Sequence, residues 1–411
     1  MAPLESPPLR SSGAKGAHAP SRSAGLHVLF VQNSLGAGGA ERSLAELLAG
    51  LTARGVRATV ALLCRQSEGV EREVREQGVD VRLLPAGHLA RVRDLRRLIA
   101  EVRPDLVHTT LFDADIAGRL AAIGGPPVLS SIVNTSYDPI RVAADPNVGR
   151  LKLALVRAVD GWTARHLADH FHAISRTVAA AAVEALGIDA TRVSVIARGR
   201  DPERLGQPSP ERRAEVRRRL GLDDDDEVVV NVGRQEYQKG QVYLLEAAAA
   251  LVGRRPRLRV LVAGRRGHAS EDLERRCRDL GLDGRVRFLG HRDDVADILA
   301  AADLFAFPSL FEGLGGALIE AMALELPIVA SDLEVFHEVV DPGGNALLVP
   351  ARRPNALASA IERLLDDSNV RASYAARSRE IFCERFSTDQ ATTSMLMLYQ
   401  QLAGERERVR V

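Results

Sequence analysis

The chain has 411 residues, of which 46% are apolar and 27% charged, and its 54 acidic side chains nearly balance its 55 Lys and Arg. A length above roughly 250–300 residues favours two domains, each with a core of its own. The net charge of +1 gives no reason to expect a nucleic-acid partner. The three cysteines are far apart and match no metal spacing, which argues against a disulfide framework and fits a reducing cytoplasm.

The sequence contains no obvious membrane span or signal peptide. Strictly apolar runs such as residues 178–183 are far shorter than the roughly 18–20 residues that cross a bilayer. Residues 1–25 are rich in Pro, Ser, Ala and basic side chains but lack an apolar core, which predicts a disordered leader. We therefore expect a cytoplasmic protein, and peripheral contact at the inner membrane face stays open.

From Leu26 onward, short apolar strands alternate with helix-length segments. The strand-like stretches of the first half are LHVLFVQ, VRATVALL, VDVRLL, DLVHT, PVLSSIV, HFHAIS and VSVIA, and helices are expected between them, for example over residues 151–168 and 176–186. This alternation predicts a parallel sheet covered by helices on both faces. Residues 26–200 should form one doubly wound, Rossmann-like domain.

A change of composition marks the boundary of this domain. Residues 198–226 contain three prolines, a basic helix ERRAEVRRRL and a run of Asp, so we place the domain linker there. The alternation restarts at EVVVNVG and continues through RVLVAG, VRFLG, DLFAFPS, LPIVAS and ALLVP, which predicts a second Rossmann-like domain over residues 201–385. Within residues 386–411, a helix from Thr388 to Gln401 is expected to pack back on the first domain.

The most specific stretch is DLFAFPSLFEGLGGALIEAMALELPIVASD, which predicts a buried strand, a Pro-Ser turn, a glycine loop and a helix. Ligands of doubly wound domains bind beyond the carboxyl ends of the strands, where this loop lies. The helix that begins near Gly316 directs its free N–H groups at the loop and suits a phosphate. Glu312 and Glu320 fit beside a phosphate only if the ligand offers them hydroxyls, as a nucleotide-sugar does. Alternatively, Glu312 caps the helix and Glu320 is solvated.

A second loop, NVGRQEYQKG, also follows a strand and precedes a helix. It carries Arg234 and Lys239, and Lys239 is one of only three lysines in a chain with 52 arginines. Because this chain so strongly prefers arginine, a lysine at this position indicates a need for a compact ammonium point charge. The two cations are suited to neutralise a diphosphate and to stabilise the charge that develops on it as a leaving group. Alternatively, Arg234 and Lys239 are simply solvent-exposed residues of a loop and bind no ligand.

In this order, the motifs resemble those of the retaining glycosyltransferases of family 4, enzymes that include sugar-nucleotide transferases of cell-envelope and small-glycoside synthesis. The resemblance covers about residues 26–403 and is most specific in the second half. It implies the α/β fold called GT-B, in which two Rossmann-like domains face each other across a cleft. The matching residues are Gly233-Arg234, Lys239-Gly240, Phe288-Leu289-Gly290, Pro308-Ser309, Glu312 and Glu320.

The resemblance implies a UDP- or GDP-sugar donor, whose sugar passes to an acceptor hydroxyl with retention of configuration. The leaving phosphate would assist the incoming hydroxyl on the same face of the sugar. Arg234 and Lys239 would bind the diphosphate. Glu312 would bind the sugar hydroxyls and Glu320 the ribose, and neither a metal nor a cofactor is expected. The further contacts implied are Gly313, Leu314, Gly315 and Gly316 to the sugar and phosphate, and Gly290, His291 and Arg292 to the nucleobase.

In the first domain, the glycine-rich loop over residues 36–42 follows the first strand and opens a helix. A dinucleotide site would place an acidic residue after the second strand, but Cys64 and Arg65 stand there, which disfavours an NAD(P)-dependent oxidoreductase. By resemblance, Gly38 and Gly39 would border the donor phosphate and the acceptor. A tight turn without a ligand is the alternative.

Three positions depart from the family pattern. Asn134 stands where family members often have a histidine near the reacting carbon, and we expect it to bind substrate because its amide can still hydrogen-bond a sugar hydroxyl. His108 is another candidate for the cleft. Residues 197–200, ARGR, replace the common Pro-Asn-Gly, and Glu325 replaces a usual glycine. Arg198 and Arg200 are expected to recognise an anionic acceptor or the donor phosphates, or else to form a solvated interdomain pair.

The departure at Asn134 keeps a second function open, namely a non-catalytic relative that binds nucleotide-sugars. A phosphorylase of similar architecture would need a pyridoxal lysine late in the chain, and no lysine follows Lys239. The sequence discloses neither the base nor the sugar of the donor. It also leaves open whether the acceptor is lipid-linked or a small molecule.

Overall fold

The computed structural model describes residues 25–36, 38–135, 137 and 150–409. Residues 1–24 of the predicted leader lie outside this part of the chain. None of the helices in the described ranges combines the length and the apolar composition that a membrane span requires.

Within the described ranges, seven parallel strands form the first sheet, in the order β3-β2-β1-β4-β5-β6-β7. The chain leaves one edge after β3 and returns to the middle, so the switch in direction falls between β1 and β4. The strands are β1 (His27–Gln32), β2 (Arg57–Leu62), β3 (Asp80–Leu83), β4 (Leu106–Thr110), β5 (Val128–Ile132), β6 (His170–Ala173) and β7 (Val193–Val195).

Among the residues that the structure describes, six α-helices accompany this sheet, and the last of them shows why its bounds were readable from the sequence. Ser175 caps its first turn by accepting a hydrogen bond from the Val178 N–H, and Gly187 ends it with φ of 65°. The helices are α1 (Gly39–Ala53), α2 (Glu71–Glu76), α3 (His88–Val102), α4 (Phe112–Ala121), α5 (Arg150–Leu167) and α6 (Arg176–Leu186).

The second sheet has six parallel strands in the order β10-β9-β8-β11-β12-β13, with its switch between β8 and β11. The two sheets confirm the predicted α/β architecture of two doubly wound domains. The strands are β8 (Glu227–Val232), β9 (Leu258–Ala263), β10 (Val286–Gly290), β11 (Leu304–Phe307), β12 (Ile328–Ser331) and β13 (Ala346–Val349).

The segment between the sheets is structured and belongs to the second core. Leu205, Val216 and Leu220 are buried in the same cluster as β8 and β11. Helices from this segment to the end of the chain are α7 (Pro202–Leu205), α8 (Pro210–Leu220), α9 (Gln241–Val252), α10 (Ser270–Asp279), α11 (Val295–Ala300), α12 (Gly316–Ala323), α13 (Glu334–His337), α14 (Pro354–Asp366), α15 (Ser368–Arg385) and α16 (Thr388–Val409).

Helix α16 continues to Val409, beyond the predicted end at Gln401, and packs on the first domain. The hydroxyl of Tyr399 lies 2.7 Å from His108 Nδ1, and a buried chain of hydrogen bonds continues through Ser131 to His172. Burial lowers the pKa of His108 to about 3 and that of His172 to about 4, so both rings are neutral at pH 7. His108 is therefore a core residue that fastens α16, and it does not face the cleft.

Candidate functional site

Two loops meet at the switch point of the second sheet, one following β8 and the other β11. Lys239 Nζ donates a hydrogen bond to Glu312 Oε1 at 2.6 Å, and Ser309 Oγ donates to the same oxygen at 2.9 Å. Lys239 Nζ also lies 5.5 Å from the centre of the Phe307 ring. The two charged side chains are only 16% and 10% exposed. The structure thus joins two site residues that the sequence placed in separate motifs.

Glycines allow these two loops to pack backbone against backbone. Gly240 has φ of 60°, and a Cβ there would lie 2.0 Å from the Pro308 carbonyl oxygen. Gly315, with φ of 90°, begins the turn into α12, and a Cβ there would lie within 3.3 Å of the Phe307 and Phe336 rings. Any side chain at either position would push the loops apart and disturb the Lys239–Glu312 pair.

The loop after Glu312 touches the first domain. Ser175 Oγ donates a hydrogen bond to the Gly313 carbonyl oxygen at 2.8 Å. A Cβ on Gly313 would lie 2.7 Å from the Val133 carbonyl oxygen and 3.5 Å from Asn134 Cα. Asn134 therefore borders the loop that carries Glu312. The contact from Ser175 was not predicted, because its sequence context indicates only a helix cap.

Glu320 pairs with an arginine of the interdomain segment. Arg200 Nε donates to Glu320 Oε1 at 2.7 Å, and its Nη1 donates to Ser43 Oγ on α1 at 2.8 Å. The Arg200 side chain is only 3% exposed, so it is not the solvated residue that the sequence left as an alternative. A Cβ on Gly316 would lie 2.4 Å from Arg200 Nη2, which places the guanidinium beside the first turn of α12.

Two other cations of the predicted site, Arg234 and Arg198, have no carboxylate partner among the residues that the structure describes. Arg234 is exposed, and its side chain makes no hydrogen bond or ion pair with any residue that the structure describes. Arg198 is half-buried and likewise makes no side-chain hydrogen bond within the described ranges. Burial, with a smaller contribution from neighbouring Arg200, lowers the pKa of Arg198 to about 10, so it stays charged at pH 7. Both guanidinium groups are available to an anionic ligand.

The remaining predicted contacts lie at the two ends of this region. Gly38 and Gly39 form the start of α1, where Ser43 Oγ donates to the Gly39 carbonyl oxygen at 2.8 Å. At the other end, Gly290 closes β10 with φ of 67° and His291 is exposed. Arg292 donates two hydrogen bonds, at 2.7 and 2.6 Å, to the carboxylate of Asp294. That pairing holds the Arg292 guanidinium beside its own loop.

The first domain contains a cavity of about 190 Å³, and Asn134 is part of its wall. Its polar lining includes Asp115, Tyr137 and Asp160, and Tyr137 donates to Asp160 at 2.8 Å. Burial raises the pKa of Asp115 to about 7, against the opposing effect of Arg119. The sequence did not indicate this cavity, since its lining residues are scattered along α4, α5, α6 and the end of β5.

No group of three or more His, Cys, Asp or Glu side chains in the described part of the chain is arranged to hold a metal ion. The expectation that no metal takes part stays a prediction.

Two family models match the chain, one for each domain. The model described as "Glycosyl transferase 4-like domain" matches residues 38–199. The model described as "Glycosyl transferases group 1" matches residues 212–381 and so includes both Lys239 and Glu312.

Several similar proteins are named as glycosyltransferases. The alpha-D-kanosaminyltransferase of Streptomyces kanamyceticus is 33% identical over 193 residues, which are 46% of this chain and 50% of that protein. A D-inositol 3-phosphate glycosyltransferase of Salinispora tropica is 35% identical over 253 residues, 58% of this chain and 52% of that protein. The chain therefore spans about half the length of the curated relatives it matches.

Among solved structures, Anabaena HepE in complex with UDP-glucose is similar over almost the whole chain. The TM-score is 0.77 at 25% sequence identity, and the match covers 93% of this chain and 100% of that one.

Proposed function

Because the chain belongs to the group 1 glycosyltransferases of family 4 and has their GT-B fold, we propose that it transfers a sugar from a nucleotide-diphosphate-sugar to an acceptor hydroxyl. The Lys239–Glu312 pair at the switch point of the second sheet carries this proposal. A carboxylate can accept hydrogen bonds from sugar hydroxyls, and the two remaining N–H bonds of the ammonium can reach phosphate oxygens beside it. A UDP-sugar is the first donor to test, since HepE binds UDP-glucose.

We further propose that the transfer retains the anomeric configuration. Lys239 and Arg234 stabilise the negative charge on the departing diphosphate, together with the N-terminus of α12. The bond from the anomeric carbon to the phosphate oxygen breaks as the acceptor oxygen bonds to that carbon from the same face. The departing phosphate oxygen takes the acceptor's proton. Since these groups supply the positive charge, the scheme needs neither a metal ion nor a cofactor.

The acceptor is proposed to enter from the first-domain cavity. Asn134 both lines this cavity and borders the loop after Glu312, so a hydroxyl held there is close to the donor sugar. Asp115 and Tyr137 offer hydrogen-bonding groups suited to a polyhydroxylated acceptor. The cavity can take a small molecule or the head of a lipid-linked acceptor.

Binding of a nucleotide-sugar to the purified protein tests the donor proposal. We expect thermal stabilisation by at least one UDP-, GDP- or ADP-sugar, of about 2.7 kcal/mol at one hundred times Kd. The matching free sugars serve as controls and should leave the melting temperature unchanged. If no nucleotide-sugar raises it, the donor site is refuted. Binding without transfer to any sugar, polyol or lipid acceptor would instead favour the non-catalytic relative.

We also propose peripheral contact with an anionic membrane through α5. Leu151, Leu155, Val159 and Trp162 form an exposed apolar stripe along this helix, with Leu151 88% and Trp162 53% exposed. The only acid on the helix, Asp160, is buried. An exposed helix face that combines Trp, Leu and basic residues is typical of binding in the plane of a bilayer interface. The basic residues of α5 with described side chains are Lys152, Arg157, Arg165 and His166.

Trp162 is the only tryptophan in the chain, so its fluorescence reports directly on this face. We expect its emission to shift to shorter wavelength on addition of vesicles that contain phosphatidylglycerol. Pure phosphatidylcholine vesicles should shift it less, and salt should weaken the effect. Leu155→Asp is the matched variant and should abolish the shift. An unchanged spectrum with anionic vesicles, or a shift that depends only on protein concentration, contradicts the membrane proposal.

A further inference from the structure

Arg200 lies between two carboxylates that belong to different domains. Its Nε holds Glu320 Oε1 of the second domain at 2.7 Å. On the other side, Glu46 Oε2 of the first domain lies 4.0 Å from Arg200 Nη1, which is too far for a hydrogen bond. The guanidinium is therefore hydrogen-bonded to one acid and stands just beyond reach of the other.

Glu46 is an unusual carboxylate because half of its hydrogen-bonding capacity is unused. Its Oε1 accepts a hydrogen bond from Arg204 at 2.8 Å. Its Oε2 is buried and has no hydrogen-bond partner. An unsatisfied buried oxygen of a charged group is unfavourable, and a nearby arginine donor would remove that cost. Arg200 Nη1 now donates to Ser43 Oγ at 2.8 Å and to the Gly199 carbonyl oxygen at 3.0 Å. A movement on the order of 1 Å would exchange one of these bonds for a charge-assisted hydrogen bond to Glu46.

The buried charge of Arg200 gives a physical reason for this movement. Arg200 is only 3% exposed, so it needs a carboxylate partner in every state of the protein. Ribose hydroxyls that bind Glu320 share its carboxylate with Arg200 and so weaken the hydrogen bond that Arg200 Nε donates to Oε1. Glu46 Oε2 is the other negatively charged oxygen close to Arg200. Ser43, on the same helix as Glu46, already accepts a hydrogen bond from Arg200 Nη1.

We propose that Arg200 is a positioning residue of the donor site that holds Glu320 in the empty enzyme and passes to Glu46 when ribose binds Glu320. This inference rests on the proposed function, specifically on the role of Glu320 in ribose binding. The exchange couples occupation of the second domain to α1 of the first, because Glu46 and Ser43 are both on α1. It also explains why an arginine occurs in the interdomain segment at this position.

The test is the affinity of UDP, GDP and ADP, measured by calorimetry, for variants of the two acids. In the otherwise unchanged protein, Glu46→Gln should weaken nucleotide binding about tenfold, since it removes the partner that Arg200 needs in the bound state. In a Glu320→Gln background Arg200 has no strong partner to leave, so Glu46→Gln should change the affinity less than about twofold. Glu101→Gln, an exposed acid of the first domain, is the matched control and should have no effect.

The outcomes separate this inference from the proposed function. Equal effects of Glu46→Gln in both backgrounds, or a loss of melting temperature with unchanged affinity, overturns the exchange and leaves the donor site standing. If the unaltered protein binds none of UDP, GDP and ADP, the proposed function fails and the exchange fails with it. A crystal structure with UDP gives a second readout should Glu46→Gln not fold. Arg200 bonded to Glu46 supports the exchange, and Arg200 still on Glu320 overturns it.

Discussion

Replacing Lys239 by Ala should lower kcat/KM for sugar transfer by roughly 10²–10³-fold, the effect of removing one preorganised group that stabilises developing charge. The ammonium is held by Glu312 at 2.6 Å and lies over the Phe307 ring, so it is fixed before the donor arrives. Its loss also leaves Glu312, which is 10% exposed, without a cation. Initial rates with the donor found by the thermal screen measure the effect.

Lys239→Arg distinguishes a point charge from a general need for a cation. The planar guanidinium is larger and presents its donors in a fork, so it cannot occupy the position between Glu312 and Phe307 without displacing one of them. We therefore expect Lys239→Arg to remain impaired although it keeps the charge. Arg363→Ala, an exposed cation on α14, should retain full activity with an unchanged melting temperature. Near-normal turnover by Lys239→Arg would contradict a requirement for a compact ammonium.

The alternation of strands and helices made most of the fold predictable, because its local signals agree with the tertiary structure. Helix α6 begins directly after Ser175 and ends directly before Gly187, as the sequence indicated. The loops of Lys239 and Glu312 were also predictable, since both follow apolar strands. Their direct contact was not, because it depends on β8 and β11 being neighbours although three crossovers separate them along the chain.

Long-range polar contacts account for what sequence patterns missed. The sequence placed the basic helix over residues 210–220 in the domain linker, but Arg217 on it is 2% exposed and donates to Asp303 and to the Ala301 carbonyl oxygen. Arginine has five donors, so a buried one can be satisfied entirely by distant carbonyl and carboxylate groups. The pairing of Arg200 with Glu320 has the same origin. A sequence shows that such residues are charged but not which partners they will meet.

Replacing the buried Arg119 by methionine should lower the free energy of unfolding of the first domain by about 3–5 kcal/mol at pH 8. Arg119 is 2% exposed and donates to Asp160 Oδ1 at 2.7 Å, and it lies 3.9 Å from Asp115. Methionine leaves both acids buried without a cation. Urea unfolding followed by Trp162 fluorescence measures the loss, because this tryptophan is on α5 beside Asp160.

The pH dependence of this loss identifies its electrostatic part. Burial raises the pKa of folded Asp115 to about 7, above its unfolded value, so the folded state binds the proton more tightly. The contribution of Asp115 to stability is therefore present at acidic pH and declines as pH rises through about 7. Without Arg119, which opposes this rise, the carboxyl stays protonated to higher pH. The cost of Arg119→Met should therefore be smaller at pH 5 than at pH 8.

Two variants control for the loss of packing. Arg82→Met removes an exposed pair with Asp80 and should leave stability nearly unchanged, because solvent screens the pair. Adding Asp160→Leu to Arg119→Met removes one unpaired acid, and apolar replacement of a buried pair is often neutral, so we expect much of the stability to return. If the double variant is no more stable than Arg119→Met, then lost packing accounts for the effect and the unpaired Asp160 charge does not.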